Sequence, residues 1–203
     1  MQKYLVEAMG TFFLTLAISF TSFTGNPIPV GLMFMAMVYI GFHISGAHYN
    51  PAVSFAMFIL NRMHLHEMLK YIGAQIVGAL PALGLFTIIS DVLFSPEIRF
   101  DYPLIVSTGM ETLLTFVLIL VILTIVLLDR YKSNTHGIVM GLTLMAIVSI
   151  GGIFNPAVAV ASIIVNVVGD GIFVGLYPVV VYIIGPCIAS IVAAHSFRFL
   201  NEK

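Results

Sequence analysis

The chain has 203 residues, of which 60% are hydrophobic and only 8% are charged, and its mean hydropathy is +1.11. A soluble domain of this length leaves much of its surface in water, so this composition excludes an ordinary soluble fold and indicates a protein of the lipid bilayer. The formal net charge of -1 provides no basic surface, which argues against a nucleic-acid partner.

Six segments are long and apolar enough to be membrane-spanning helices, since a helix needs about 20 apolar residues to cross the hydrocarbon layer. The predicted spans are residues 4–22, 28–48, 66–90, 105–128, 136–153 and 172–199. The first segment is too long for the core of a cleaved signal peptide and contains Glu7, so we expect it to be a retained span. The sequence therefore predicts one all-α membrane domain, residues 1–203.

Two further apolar segments, residues 50–60 and 155–165, are too short to cross a bilayer. Each begins with Asn-Pro, and this pair is typical of a helix start because Asn caps the N-terminus and Pro fits the first helical position. Short apolar helices within a membrane chain indicate re-entrant half-helices, which enter and leave the membrane on the same side.

The distribution of basic residues orients this topology. If both termini are cytoplasmic, seven of the eight Lys and Arg residues lie on the inner side, as the positive-inside rule requires, and only Arg99 lies outside. The seven inner residues are Lys3, Arg62, Lys70, Arg130, Lys132, Arg198 and Lys203.

The two halves of the chain repeat one another, residues 1–90 matching residues 105–203. Glu7 recurs as Glu111 with an offset of 104, and the tripeptide at Asn50 recurs at Asn155 with an offset of 105. Gly78 recurs as Gly185 with an offset of 107. Each half holds three spans, so the second half enters the membrane from the opposite side, and sites in such inverted repeats lie near the midplane.

The paired tripeptides Asn50-Pro51-Ala52 and Asn155-Pro156-Ala157 are the candidate functional motif. Each helix start carries about half a positive charge, so two starts at the membrane centre repel cations. The Asn amides can donate hydrogen bonds to a passing oxygen atom. Irregular backbone before each start survives at this depth only where it is buried or lines a wet cavity. The candidate pore-lining residues in this irregular backbone are Gly46, Ala47, His48 and Gly151.

With these motifs in place, the whole chain resembles the aquaporin, or major intrinsic protein, family. The segment from Ser45 to Ser54, S-G-A-H-Y-N-P-A-V-S, is similar to the first signature of that family, and Glu7, Gln75 and Glu111 stand where its members have them. The resemblance implies a homotetramer, and the compact sequence without extensions leads us to expect the cell membrane as its location. The resemblance also implies passive diffusion of small neutral solutes such as water, glycerol, hydrogen peroxide or ammonia through each subunit. No nucleophile–base pair or metal-ligand cluster has a workable spacing in the sequence, so we expect no catalysis, metal or cofactor.

One departure from the family concerns the outer selectivity filter. The second family signature continues with Arg, and here that position is Val158. The other filter positions correspond to Val30, Gly152 and Val148, with Thr143 as the alternative to Val148 because the register of the fifth span is open. A filter without Arg, His or an aromatic ring is expected to be wide and apolar, which favours solutes larger than water.

Several residues allow a second interpretation. Glu7 and Glu111 are acids within spans, so a proton-coupled transporter is an alternative to a structural role in which they accept bonds from the irregular backbone. A non-conducting structural protein is a further alternative. His48 is either a pH-sensitive element or an anchor of its loop. His64 and His66 lack the spacing of a metal site. Five glycines are expected to permit close helix crossings: Gly10, Gly41, Gly78, Gly141 and Gly185.

Overall fold

In the computed structural model, the described residues are 1–95, 102–128, 131, 133–170 and 176–201. Helices dominate because a helix satisfies its own backbone N–H and C=O groups, as the hydrocarbon layer demands. In chain order the helices are α1 (Gln2–Thr24), α2 (Ile28–Ser45), α3 (Pro51–Ile59), α4 (Leu65–Ser90), α5 (Leu104–Leu127), α6 (His136–Ile150), α7 (Pro156–Asp170), α8 (Tyr177–Val179) and α9 (Gly185–Asn201). A 3-10 turn, Ser133–Thr135, precedes α6, and a π-helical segment, Val180–Ile184, joins α8 to α9.

Five helical stretches in the described part of the chain have the length and composition to cross a membrane. They are α1, α2, α4, α5 and the continuous stretch Tyr177–Asn201. The predicted fifth span, residues 136–153, is shorter than expected, because α6 has 15 residues and ends at Ile150. Gly151 and Gly152 end it, both at a φ of +121°, which a right-handed helix cannot include.

The two predicted half-helices differ in length. Helix α3 has nine residues, close to the prediction of 50–60. Helix α7 has 15 residues and runs to Asp170, five residues beyond the prediction of 155–165, because Val167 and Val168 continue its apolar sequence and no proline interrupts it. The start of the predicted sixth span, residues 172–175, lies outside the described residues.

The spans surround the two half-helices in a repeated arrangement. Helix α1 contacts α2 and α4, and α5 likewise contacts α6 and α9. The closest crossing is at Gly78, where an added Cβ would lie 2.0 Å from the carbonyl oxygen of Ala8. At the repeated position, a Cβ on Gly185 would lie 3.2 Å from the hydroxyl of Thr112. The prediction that these two glycines permit close crossings is therefore confirmed.

Helix α9 holds the first half-helix at both ends. The Ser190 hydroxyl donates to the carbonyl of Ala52 at 2.8 Å, in the first turn of α3. The Arg198 guanidinium donates to the carbonyl of Ile59 at 2.8 Å, at the last residue of α3, where unpaired carbonyls and the negative helix end favour a cation. These two bonds fix where the N-terminus of α3 stands in the bundle.

Candidate functional site

Each half-helix begins at an asparagine that caps it. The side-chain oxygen of Asn50 accepts a hydrogen bond from the backbone N–H of Ala52 at 2.9 Å. The side-chain oxygen of Asn155 accepts the corresponding bond from Ala157 at 3.1 Å. An Asn side chain satisfies a helix N–H group that would otherwise have no partner, and the proline at the next position has no N–H to satisfy. The two starts are thus built alike.

The two asparagines also bind each other's loops. The Asn50 amide donates to the carbonyl of Phe154 at 2.7 Å, and the Asn155 amide donates to the carbonyl of Tyr49 at 2.8 Å. The half-helices therefore meet, N-terminus towards N-terminus, as the inverted repeat predicts. Since an amide NH₂ group has two N–H donors, one on each asparagine remains for another acceptor.

A narrow central cavity lies where the half-helices meet. It offers about 10 Å³ to the centre of a water molecule, close to the minimum for a single water. Its walls combine the two asparagines with apolar side chains from four spans, the first half-helix and the second loop. The lining residues are Leu14, Ile18, Phe34, Asn50, Val53, Leu118, Ile122, Leu144, Ile153 and Asn155.

The apolar lining of this cavity was missed in the sequence, although a signal for part of it exists. Leu14 and Ile18 on α1 correspond to Leu118 and Ile122 on α5 with the same offset of 104 that relates Glu7 to Glu111. Extending the repeat from the acid along each helix, one turn at a time, would have identified these four residues. Phe34 and Leu144 do not share this offset.

Glu7 organises the loop before the first half-helix. Its carboxylate accepts four hydrogen bonds, from the Ser45 hydroxyl at 2.7 Å, the backbone N–H groups of His48 and Tyr49 at 2.9 and 2.7 Å, and the Gln75 amide at 2.8 Å. The side chain is completely buried. A buried carboxylate is tolerated when its oxygens are paired in this way.

Glu111 is the counterpart of Glu7 in the second half. It accepts hydrogen bonds from the backbone N–H groups of Ile153, at 3.3 Å, and Phe154. Its side chain is 3% exposed. Both acids therefore bind the backbone immediately before an asparagine cap, which is the arrangement expected of the structural alternative in the sequence.

Both loops contain residues in the left-handed region of backbone conformation. Ala47, Tyr49 and Phe154 have φ of +52°, +50° and +56°, values that are uncommon for residues with a side chain. Gly46, at +82°, ends α2 before the first of these loops. Strain of this kind persists only where the surrounding structure enforces it, and here the two glutamates supply that constraint.

His48 is anchored within its loop. Its ring nitrogen Nδ1 lies 3.0 Å from the Ser54 hydroxyl, and Ser54 also accepts a bond from the Gln75 amide at 3.1 Å. The side chain is 7% exposed. This contact links the first loop to both the first half-helix and α4, so the loop-anchoring interpretation accounts for His48.

The residues at the predicted filter positions lie in different environments. Val30 and Val158 are completely buried, whereas Gly152 is exposed. Val148 is half-buried and packs against the core, and the Thr143 hydroxyl donates to the carbonyl of Val139 in its own helix at 2.8 Å. The repeat relates Val158 to Val53, which lines the central cavity.

Comparisons with known proteins agree with this architecture. The sequence model of the family described as major intrinsic protein matches residues 1–197. A glycerol uptake facilitator protein-like 6 from Lactiplantibacillus plantarum is 32% identical over 224 residues, covering 100% of both chains. A probable aquaporin NIP-type from Nicotiana alata is 30% identical over 221 residues, covering 100% of this chain and 78% of the relative.

A solved structure shares the fold. The X-ray structure of the aquaglyceroporin from Plasmodium falciparum superposes with a TM-score of 0.77 at 22% identity, covering 96% of this chain and 95% of that chain. The five long apolar helices and the paired short helices therefore form a known arrangement.

Proposed function

The chain belongs to the major intrinsic protein family, whose members are membrane channels and not enzymes, and from this premise we propose that it is a passive channel for small uncharged solutes. The expected solutes are glycerol and water, followed by hydrogen peroxide and ammonia. The observation that carries the proposal is that Asn50 and Asn155 line one narrow cavity from opposite half-helices. A similar protein named as a glycerol uptake facilitator supports the choice of solute class.

The electrostatics of the central cavity favour neutral solutes. Two helix N-termini converge on it, and each contributes partial positive charge. None of its lining residues carries a charge that would compensate a cation. The free N–H group on each asparagine supplies a hydrogen bond to a hydroxyl or water oxygen, while the apolar walls accommodate carbon atoms.

The predicted outer filter refines the choice among neutral solutes. Val30, Val148, Gly152 and Val158 offer no charged or aromatic side chain. Water loses hydrogen bonds in an apolar constriction, whereas the CH groups of a larger solute do not. Such a constriction therefore lowers the permeability to water relative to that solute. We therefore propose that glycerol passes more readily than in a filter that contains Arg.

The transporter alternative has less support from the site. A proton-coupling acid must exchange its proton with the transport path, whereas the oxygens of Glu7 are taken up by four donors. Two of those donors are backbone N–H groups that a protonated oxygen would bind less well. The passive channel is accordingly the proposal that we retain.

The test is a flux measurement on purified protein in liposomes. We expect glycerol flux that follows its gradient and is unchanged by a proton gradient. Val158→Arg should lower glycerol flux at least tenfold, because it narrows the filter and adds a charge, while Val158→Leu should retain most of it. A channel that passes no solute in either form would contradict the proposal, and uphill glycerol movement driven by protons would favour the transporter.

We further propose a homotetramer in the cell membrane with both termini in the cytoplasm, on the basis of the family resemblance and the positive-inside charge distribution. Light scattering of the detergent-solubilised protein, corrected for bound detergent, measures the number of subunits. A mass of one or two chains would contradict the tetramer.

A further inference from the structure

The two acids of the repeat, Glu7 and Glu111, differ in the number of hydrogen-bond donors that contact them. Glu7 accepts hydrogen bonds from two backbone N–H groups and two side chains, Ser45 and Gln75. Glu111 accepts hydrogen bonds from two backbone N–H groups alone among the described residues. A buried carboxyl group with fewer donors than its oxygens can accept is costly, unless something else supplies them.

The repeat identifies the residues that replace the missing donors. The offset of 105 that relates the two loops places Ile150 at the position of Ser45. The offset of 107 that relates Gly78 to Gly185 places Tyr182 at the position of Gln75. The side chain of Ile150 has no hydrogen-bond donor. The Tyr182 hydroxyl makes no hydrogen bond to any residue in the described part of the chain, although the side chain is only 3% exposed.

A cavity, which we call the outer cavity, occupies the place of these donors. It has a volume of about 360 Å³ and is lined by both replacements, Ile150 and Tyr182, and by Glu111 itself. A water molecule occupies about 30 Å³, so the cavity is far larger than two missing donors require and falls within the range of small-molecule sites. The π-helical segment Val180–Ile184 contributes Tyr182, and such segments are frequent at functional sites.

The entrance to this outer cavity is apolar. Val106, Met110 and Ile150 line it and are 41%, 39% and 47% exposed. Val106 and Met110 lie on α5 and Ile150 ends α6, so in a single subunit at membrane depth these apolar side chains face lipid. A ligand that enters here must be soluble in the bilayer, and it must bring a hydrogen-bond donor to the floor of the cavity.

We propose that the outer cavity binds an uncharged aliphatic alcohol from the bilayer. Its hydroxyl group donates to Glu111 in the place that the Gln75 amide takes at Glu7, and it accepts from the Tyr182 hydroxyl. Its alkyl chain contacts Val106 and Met110. The site shares no lining residue with the central cavity, but it borders the predicted pore positions Gly151 and Gly152.

The absence of Trp from the chain permits a direct binding experiment. Tyr102 lines the outer cavity, so Tyr102→Trp places the only indole beside it. The probe is 8-bromo-1-octanol, whose bromine quenches indole fluorescence at contact, added to the protein in liposomes. The matched probe without a donor is 1-bromooctane. Phe13→Trp, at a residue of α1 that is 36% exposed, reports quenching by alcohol that is merely dissolved in the bilayer.

We expect saturable quenching of Tyr102→Trp by the alcohol, at a membrane concentration about tenfold lower than 1-bromooctane requires, because one hydrogen bond to a buried acid is worth about that factor. Adding Ile150→Ser should weaken binding about tenfold, since the new hydroxyl restores the donor that Ser45 provides in the first half. Met110→Phe, which reduces the cavity without adding a donor, should weaken both probes and serves in place of Ile150→Ser if that variant does not fold.

Two outcomes would overturn the proposal. Equal half-quenching concentrations for the two probes would remove the role of the hydroxyl group. Quenching of Tyr102→Trp that rises without saturation, as at Phe13→Trp, would mean that no site exists, which is the result expected if water or a neighbouring copy of the chain fills the cavity.

Discussion

Tyr49 explains two glycines that the sequence assigns to helix crossings. Its ring is completely buried, and its hydroxyl donates to the carbonyl of Met37 at 2.9 Å. A Cβ on Gly10 would lie 2.2 Å from the ring, and one on Gly41 would lie 1.9 Å from the hydroxyl oxygen. The prediction that Gly10 permits a helix crossing was therefore wrong, because Gly10 makes room for a side chain of the first loop. Gly41 does both, since its added Cβ would also lie 2.6 Å from Val6 of α1.

The first prediction concerns Gly10. Gly10→Ala should lower the free energy of unfolding by about 1–3 kcal/mol, because the ring of Tyr49 is enclosed and cannot move away from the new methyl group. Gly84→Ala in α4 is the matched control, since nothing lies within 4 Å of its added Cβ, and it should gain up to about 1 kcal/mol from helix propensity. Thermal unfolding in detergent measures both. Equal midpoints for the two variants would show that the ring is not fixed.

The second prediction concerns Gln75. Gln75→Leu removes the donor to Glu7 and the donor to Ser54 together. It leaves the buried Glu7 carboxylate with three of its four donors, those from Ser45, His48 and Tyr49. We expect the free energy of unfolding to fall by about 2–3 kcal/mol. Thr124→Val is the control, because the Thr124 hydroxyl donates only to the carbonyl of Leu120 in its own helix, and its loss should stay below about 1 kcal/mol. Denaturant or thermal unfolding that ranks the two variants in the opposite order would contradict this assignment.

At the scale of the elements, the half-helices were predictable and their surroundings were not. Asn-Pro at residues 50 and 155 is a local signal for a capped start, and it gave the first residue of α3 and α7 correctly. Of the residues that line the central cavity, Leu14 could be found only through the repeat, and Phe34 gives no local signal. A span is apolar on its lipid side and on its inner side alike, so periodicity does not distinguish the two.

Some helix ends were likewise predictable from the sequence, and others were not. Gly151 and Gly152 end α6 for a reason that is visible in the sequence, since glycine adopts positive φ readily. The π-helical segment Val180–Ile184 has no such signal. Four of its five residues are apolar and β-branched, and the segment packs against both α5 and α7. We infer that this packing, rather than the local sequence, determines which turn widens.

The third prediction tests the reciprocal bonds between the half-helices. Asn50→Ser retains a capping oxygen but is too short to reach Phe154, so it should cost about 1 kcal/mol. Asn50→Asp also retains the cap, but it places a carboxylate oxygen where the amide donates to the carbonyl of Phe154 at 2.7 Å. Two acceptors at this distance repel, and the charge is buried, so Asp should cost at least about 2 kcal/mol more than Ser.

Unfolding midpoints of the two purified variants, compared with the unmodified protein, measure this difference. Asp and Ser variants of equal stability would mean that the bond from Asn50 to Phe154 contributes little. A more stable Asp variant would mean that the favourable interaction of a carboxylate with the helix N-terminus dominates.

For the whole molecule, the described structure fixes how the elements pack but leaves the orientation in the membrane to the charge distribution. Lys3 at the start of α1 forms a salt bridge with Glu67 at the start of α4, so these two helix starts lie at the same end of the bundle. Asn26, between α1 and α2, lies at the other end and is exposed. The positive-inside rule assigns the first end to the cytoplasm.

The fourth prediction follows from this assignment. Cys187 is the only cysteine, so Cys187→Ser gives a background without thiols. On it, Asn26→Cys should react with a membrane-impermeant maleimide added to intact cells, whereas His64→Cys, at an exposed residue before α4, should react only after the membrane is opened. The opposite pattern would invert the topology. Reaction of both residues in intact cells would contradict a bundle with two distinct faces.

The hydrogen bonds that each asparagine makes to the opposite loop have a genetic consequence. A substitution that displaces the first loop moves the carbonyl of Tyr49, and with it the partner of Asn155 in the other half of the chain. Damage near residue 49 is therefore repaired most directly by second-site changes near residue 154, about a hundred positions away. A suppressor screen that starts from a destabilising substitution in the first loop should return second-site changes concentrated in the second loop. Mutations in the two halves of the chain are therefore expected to depend on each other.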